Sequence, residues 1–407
     1  MISSSSTTWD TIVIGAGPAG AVAAFRLSRA GRRVLLVEKK KFPRFKVCGC
    51  CLNPNALRIL DQLDLSDRLH EAGAIEVDQF RLRSRGRELK IPMPGGVVIS
   101  RQKMDVVLVD AAIEAGAEFR DNVSALVLPC ADESPMNRVE LTDEEGAVQV
   151  VEAAVILVAD GLSGSSLKDR DEFSTTVEEN SYLGISAHLP AETNPGIDPG
   201  TIEMATGKTG YVGSVVLEDG AINYSSAISP QARKHASSNG ELLTMILEEA
   251  GSPVPVGFQD AQWHGAPLLS RHRSRFAAGS VLLLGDATGY VEPFTGEGMA
   301  WAVEMGYSAA ELLLTPTLPE TAYEASWTRT VEKLRAERHV WCRRLASFLR
   351  KPKLVSVGMV LGRIVPSVPG WIVSQLYESS QSPSNINDAQ SITVSSQSGN
   401  RAPSASH

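Results

Sequence analysis

The sequence predicts an α/β fold: a Rossmann-type nucleotide-binding lobe assembled from separated segments, an inserted antiparallel β-sheet lobe, and C-terminal helices. Three observations carry this expectation. Residues 10–20, DTIVIGAGPAG, join a β-branched apolar run to a glycine turn, and the helix-forming AVAAFRL follows. A second apolar run, residues 34–37, ends in Glu38, 18 residues past the last glycine. That spacing is close to the roughly 20 expected of an acid that holds a ribose hydroxyl. Further on, two buried-strand patterns end in Asp160-Gly161 and Gly285-Asp286, and between them residues 181–228 alternate in strand fashion around a hairpin at Glu218-Asp219-Gly220.

Within the opening turn each glycine has a separate task. Gly15 allows the tight bend, Gly17 lets backbone N–H groups approach a pyrophosphate, and Gly20 lets the helix pack close to the strand. Pro18 and Ala19 sit between them, where the helix begins. A turn of this kind serves several dinucleotides.

The chain's 407 residues exceed what one core usually holds, so two lobes are expected. Net charge is −8 with both signs mixed along the chain, which gives no case for a nucleic-acid partner. An odd number of cysteines, and a start that lacks both a basic and an apolar signal region, imply a reducing, cytoplasmic setting. No uninterrupted apolar run of about 18 residues occurs; residues 355–373 come closest, broken by Arg363, Pro366 and Pro369.

After Glu38 the chain reads KKKFPRFKVCGCCLNPNAL, then an amphipathic helix near residues 54–63. GAGPAG, the following Glu, FPRFKVCG and LNPNAL together resemble the geranylgeranyl-reductase-like branch of FAD-dependent oxidoreductases, within the p-hydroxybenzoate-hydroxylase fold. The resemblance implies FAD as cofactor. It places Gly15, Gly17, Pro18, Ala19, Gly20, Glu38, Lys39 and Arg44 at the adenine end. Cys48 and Gly49 would line the cavity over the flavin, where the family's Cys-Gly-Gly reads Cys48-Gly49-Cys50 here. Cys48 is therefore a candidate catalytic residue.

Residues 75–99 alternate as strands and are read as an excursion into the second lobe. A helix follows from residue 99 through 115, whose Arg101 matches the family arginine near the FAD phosphate and ribose. Hairpin-like strands are expected at 123–128, 138–142 and 148–152, with Val123 among the cofactor-binding positions. Residues 153–168 form a buried strand ending in Asp160 and Gly161, which resemble the motif bracing the flavin's pyrophosphate side. Tyr211 is what remains of a family substrate motif, and His264 borders the expected cavity. A helix over about 231–250 and the stretch 261–269 are expected to return the chain to the first lobe.

In the second strong motif, residues 279–300, the resemblance assigns Asp286 to a ribityl hydroxyl. The Pro293 to Gly298 loop, with Gly296, Glu297 and Met299, would begin a helix facing the flavin's N1 and O2. A helix N-terminus suits the negative charge that a reduced flavin develops there. Two roles are open to Glu297: proton transfer, or capping the loop's own backbone. Phe294 is a candidate substrate contact. Helices continue to residue 314 and over 319–348. Residues 351–376, basic and then apolar with Trp371, read either as a membrane-surface anchor or as a packed helical pair.

The expected organisation is a flexible start (1–9), an FAD-binding domain (10–74, 100–170, 276–318), a substrate domain (75–99, 171–275), C-terminal helices (319–377) and a Ser-rich disordered tail (378–407). Cysteines 48, 50 and 51 lack the partner pair of a metal site, so no metal is expected. A disulfide-type flavoenzyme would need a second nucleotide fingerprint, and none follows a strand.

The leading expectation is a reductase that takes electrons from NAD(P)H or a reduced redox protein and saturates a C=C bond of a hydrophobic lipid, isoprenoid or polyketide-like substrate. A monooxygenase acting on an aromatic or polyketide-like substrate, and an electron-transfer flavoprotein without a small-molecule substrate, remain open alternatives.

Overall fold

The computed structural model describes residues 8–129, 136–290 and 297–364, with side chains 337–346 outside that description. Pro293, Phe294, Gly296, Trp371 and the terminal segments 1–7 and 365–407 lie outside the described residues.

The first apolar run forms the strand Thr8–Ile14 at the middle of a largely parallel sheet. Val34–Val37 lies on one side of it and Val148–Val158 on the other, both parallel to it. Glu118–Arg120 and Val281–Leu283 extend the parallel set outward. Such strands are covered on both faces and so read as continuous apolar runs; Ile12, Val13, Leu35, Leu36, Ile156 and Leu157 are all fully buried. Every chain crossing from strand to loop at one end therefore delivers Gly15, Glu38, Asp160 and Asp286 to the same edge of the sheet.

A second sheet of seven strands runs from His264–Leu268 through Leu183–Leu189, Ile222–Ile228, Gly210–Val216, Thr201–Thr206 and Gln79–Ser84 to Arg87–Pro92. It is antiparallel except for one pair, Thr201–Thr206 beside Gln79–Ser84, which is parallel. That pair joins the early excursion to the later strands, and Arg81 ties it down, donating to Glu203 at 2.5 Å and Asp198 at 3.0 Å.

The sheet's two faces have different partners. Ile185, Ala187, Val212 and Tyr224 face the helix Asn239–Ala250. Phe80, Met204, Tyr211 and Val215 on the other face pack with Cys50, Cys51 and, from the C-terminal helices, Leu349, Val355 and Met359.

Several local expectations are corrected. Val148–Val158 is one strand of 11 residues, because its outer half pairs with the hairpin strand Asn137–Thr142 while its inner half enters the parallel sheet. The single helix expected over 231–250 is two, Pro230–His235 and Asn239–Ala250. Ser238 ends the continuity by capping the second, accepting from the Glu241 N–H at 3.0 Å. His264–Leu268 does not return to the first lobe but forms the edge of the seven-stranded sheet, paired with Leu183–Leu189. Within the excursion, Ile75–Glu76 and Val97–Val98 pair with each other, and Cys51–Leu52 joins them in a small separate sheet.

Candidate functional site

The glycine turn at the end of Thr8–Ile14 is held from both sides. Gly15 has φ +103°, a conformation that favours glycine, and a Cβ there would lie 2.3 Å from the Ala159 carbonyl oxygen. A Cβ at Gly20 would lie 1.9 Å from the Gly15 carbonyl oxygen. Both positions are glycine because neighbouring backbone fills the space. Gly17 is different, since a Cβ there would meet only Arg101 Nη2 at 3.5 Å and Arg44 Nη2 at 3.8 Å.

Those two guanidinium groups converge over Gly17 because Asp105, 1% exposed, holds both. Arg101 donates to its two oxygens at 2.9 and 2.8 Å, and Arg44 donates to one of them at 2.8 Å. Arg44 also pairs with Glu38 at 3.1 Å. Glu38 accepts from the Ala16 N–H at 3.2 Å and the Lys40 N–H at 3.1 Å. The Val123 N–H donates to the Glu38 carbonyl at 3.0 Å, which fixes the end of that strand. Removing one member of such a buried ionic chain costs about 3–5 kcal/mol, because a charge is left unpaired.

Below the arginines the helix Pro18–Arg29 starts with no side-chain cap and no acid in its first turn. Its N-terminal N–H groups, two arginines and a glycine surface together make an anion cradle. At the far ends of the neighbouring strands, Asp160 accepts from the Ser166 N–H at 3.0 Å and its hydroxyl at 2.9 Å through one oxygen. Its other oxygen is buried with no hydrogen-bond partner among the described residues. Burial raises the Asp160 pKa, partly opposed by the bonds from Ser166. Lys39 turns away and donates to Ser163 at 3.1 Å.

Asp286 stands in the turn Gly285–Thr288, opened by Gly285 at φ +55°. Burial raises its pKa, with Lys46 and Arg101 pulling it back. Solvent reaches Lys46, yet protein crowds it; that desolvation, together with Arg101, lowers its pKa against the opposing Asp286. Glu297 and Met299 are buried at the start of the helix Glu297–Leu314.

Between the two sheets lies Cys48. The Cys50 N–H approaches its sulfur at 3.4 Å. Its pKa falls to about 6, chiefly through the hydrogen bond from the Cys50 thiol, with Arg101 adding to the effect against burial. The same bond and burial push Cys50 up, and burial pushes Cys51 up. Asn223 of the seven-stranded sheet donates to the Cys48 carbonyl at 3.1 Å, and Gly49 lies beneath Ser225, 3.6 Å from a Cβ built there. Phe45 lies between His188, which it meets edge-on, and His264, against which it is tilted, with ring centroids 5.0 and 4.4 Å away. Cys48, Tyr211 and, through Phe45, His264 thus share one face of the sheet. Burial lowers the His188 pKa.

Asp105, Lys46 and Asn223 were not singled out from sequence. Only Asp105 carried a local signal, its four-residue spacing from Arg101 on one helix face.

An uncapped helix end, two arginines over a glycine, an acid bonded to the turn and a buried unpaired carboxylate oxygen fit a dinucleotide with a pyrophosphate. Residues 8–325 match the family model of the FAD binding domain. The chain belongs to this family. It is an FAD-dependent oxidoreductase. It is 28% identical to a menaquinone reductase of Mycolicibacterium smegmatis over 86% of this chain and 87% of that protein. It is 28% identical to a digeranylgeranylglycerophospholipid reductase 2 of Methanopyrus kandleri, over 75% and 76% respectively. Among solved structures, the flavin-dependent brominase Bmp2 superposes with a TM-score of 0.74 at 17% identity, covering 95% of this chain and 98% of that one. That likeness is one of fold.

Proposed function

We propose that this flavoprotein, as a member of the geranylgeranyl-reductase-like branch, reduces a C=C bond of a hydrophobic lipid, isoprenoid or polyketide-like substrate, with NAD(P)H or a reduced redox protein as donor. The observation that carries the reading is the apolar cluster formed by Phe80, Leu82, Met204, Tyr211, Val215 and Met359 against Cys50 and Cys51. An apolar sheet face of this kind suits a hydrocarbon and offers few polar partners. Support also comes from the two reductases above, named for menaquinone and for a digeranylgeranylglycerophospholipid.

FAD, when bound, supplies the hydride chemistry. The chain's residues would hold it: Arg101 and Arg44 over Gly17 would pair with the pyrophosphate, Glu38 would take ribose hydroxyls, and Asp160 and Asp286 would offer carboxylate oxygens. Cys48 lies on that face with its thiol pKa lowered, chiefly by the Cys50 thiol and further by Arg101, so it offers negative charge more readily than a proton. Asn223 holds the Cys48 backbone and so fixes where that charge sits.

The test is to reduce the FAD-loaded protein anaerobically and mix it under argon with a menaquinone or a geranylgeranyl lipid. The expected result is substrate-driven recovery of oxidised-flavin absorbance, with a product that stays heavier by one H2 after air has returned any quinol to quinone. Reoxidation only by oxygen, with transient flavin-hydroperoxide absorbance and a hydroxylated product, sinks the reductase reading in favour of a monooxygenase.

A further inference from the structure

The last described helix, Pro352–Ile364, presents two unlike faces. Val355, Ser356, Met359 and Gly362 are buried, and Val355 and Met359 belong to the cluster that contains Tyr211 and Cys51. The helix is fastened to the sheet's outer hairpin: Arg363 donates to the Glu88 carbonyl at 2.6 Å, and Arg87 donates to the Ser356 hydroxyl at 2.5 Å. It therefore packs on the same apolar face of the seven-stranded sheet as Tyr211 and Cys51.

On the opposite face Leu354, Val357, Val360, Leu361 and Ile364 are exposed by 50, 58, 41, 59 and 70%. Their three- and four-residue steps make one continuous stripe, and a stripe of that kind marks an interaction surface. Lys351, Lys353 and Arg363 are exposed around it. From residue 338 to residue 377 the sequence holds seven Lys and Arg and no Asp or Glu, within a chain of net charge −8.

This charge pattern selects the occupant. A second copy would set cationic margin against cationic margin, and residues 365–377, which follow the helix, carry no acid to neutralise it. A bilayer with anionic headgroups satisfies both parts, as the stripe enters the headgroup–acyl boundary and the cations meet phosphates. We propose that the outer face of Pro352–Ile364 docks on an anionic lipid bilayer, setting this side of the seven-stranded sheet against the membrane surface. The docking does not depend on which reaction the site performs.

The FAD-loaded full chain should be sedimented with vesicles of phosphatidylcholine alone and with vesicles that also contain phosphatidylglycerol. Partitioning onto the anionic vesicles is expected to exceed that onto neutral ones by on the order of tenfold or more, and to weaken in high salt. Leu354→Asp with Leu361→Asp should abolish binding. Lys351→Glu with Lys353→Glu should remove the preference for phosphatidylglycerol. All four positions are exposed, so flavin absorbance and circular dichroism should match wild type. Three results would overturn the proposal: wild type that stays in the supernatant, variants that pellet like wild type, or a solution dimer that Leu354→Asp with Leu361→Asp turns into a monomer.

Discussion

Cys48 is where burial and charge meet most sharply, and their balance is measurable. Burial alone drives a thiol pKa up, but the Cys50 thiol and Arg101 favour the anion and bring it down to about 6. Alkylation of Cys48 by iodoacetamide, followed by mass spectrometry on the FAD-free protein, should rise with pH and reach half its plateau near pH 6. Below that pH the thiolate gains a proton and the rate falls. Arg101→Gln removes the cation and should move the midpoint upward; an unmoved midpoint would show that Arg101 does not hold the thiolate. The glycines of the turn separate fold from ligand at the same scale. Gly15→Ala must fit a Cβ 2.3 Å from a backbone oxygen at φ +103°. It should lower the thermal midpoint, by about 1–3 kcal/mol of stability. At Gly17 only two long side chains stand nearby, so Gly17→Val should fold like wild type and purify colourless. Stoichiometric FAD in that variant would refute the assignment of the cradle.

Element crossings explain both what the sequence makes legible and what it hides. The turn at Gly15, the acid Glu38 and the strand-ending Asp160 and Asp286 sit where apolar runs meet turn residues, and that boundary is a local pattern. The lobes were legible in the same way, through the change from buried runs to alternation. The parallel pairing of Thr201–Thr206 with Gln79–Ser84 is a partnership across more than a hundred residues, and neither strand's pattern carries it. The break at Ser238 was hidden because two short helices and one long one share a periodicity. Gly306 was hidden too, since a glycine inside a helix reads as a simple weakness. In the structure it is the contact point between Glu297–Leu314 and Pro18–Arg29, where a Cβ would lie 2.2 Å from the Ala19 carbonyl oxygen. Gly306→Ala is expected to gain about 1 kcal/mol in helix propensity and to lose more by forcing the helices apart. The net result should be a lower thermal midpoint together with weaker FAD retention, because Ala19 belongs to the cofactor turn. An unchanged or raised midpoint would mean that the helices separate at little cost.

Across the whole molecule, the two sheets meet through a small number of polar contacts, and one of them reaches the cofactor cradle indirectly. Glu218, at the hairpin tip of the seven-stranded sheet, accepts from the Ser100 N–H at 2.9 Å and from its hydroxyl at 2.5 Å. Ser100 is the N-cap of the helix Arg101–Glu114 and accepts from the Lys103 N–H at 3.2 Å. That helix carries both Arg101 and Asp105, so the position of the arginines over Gly17 is set partly from the other lobe. Glu218 touches neither the turn nor the arginines. Loss of a charge-assisted pair of this kind costs about 1.5–3 kcal/mol, and about 1.4 kcal/mol of that expressed at the cradle is a tenfold change in affinity. Glu218→Ala should therefore weaken FAD binding by on the order of tenfold, measured by fluorescence titration of the FAD-free protein. Glu218→Gln, which keeps one acceptor, should fall between that variant and wild type. If Glu218→Ala lowers the thermal midpoint but leaves FAD affinity untouched, the hairpin stabilises the helix without positioning it, and the two lobes act separately on the cofactor.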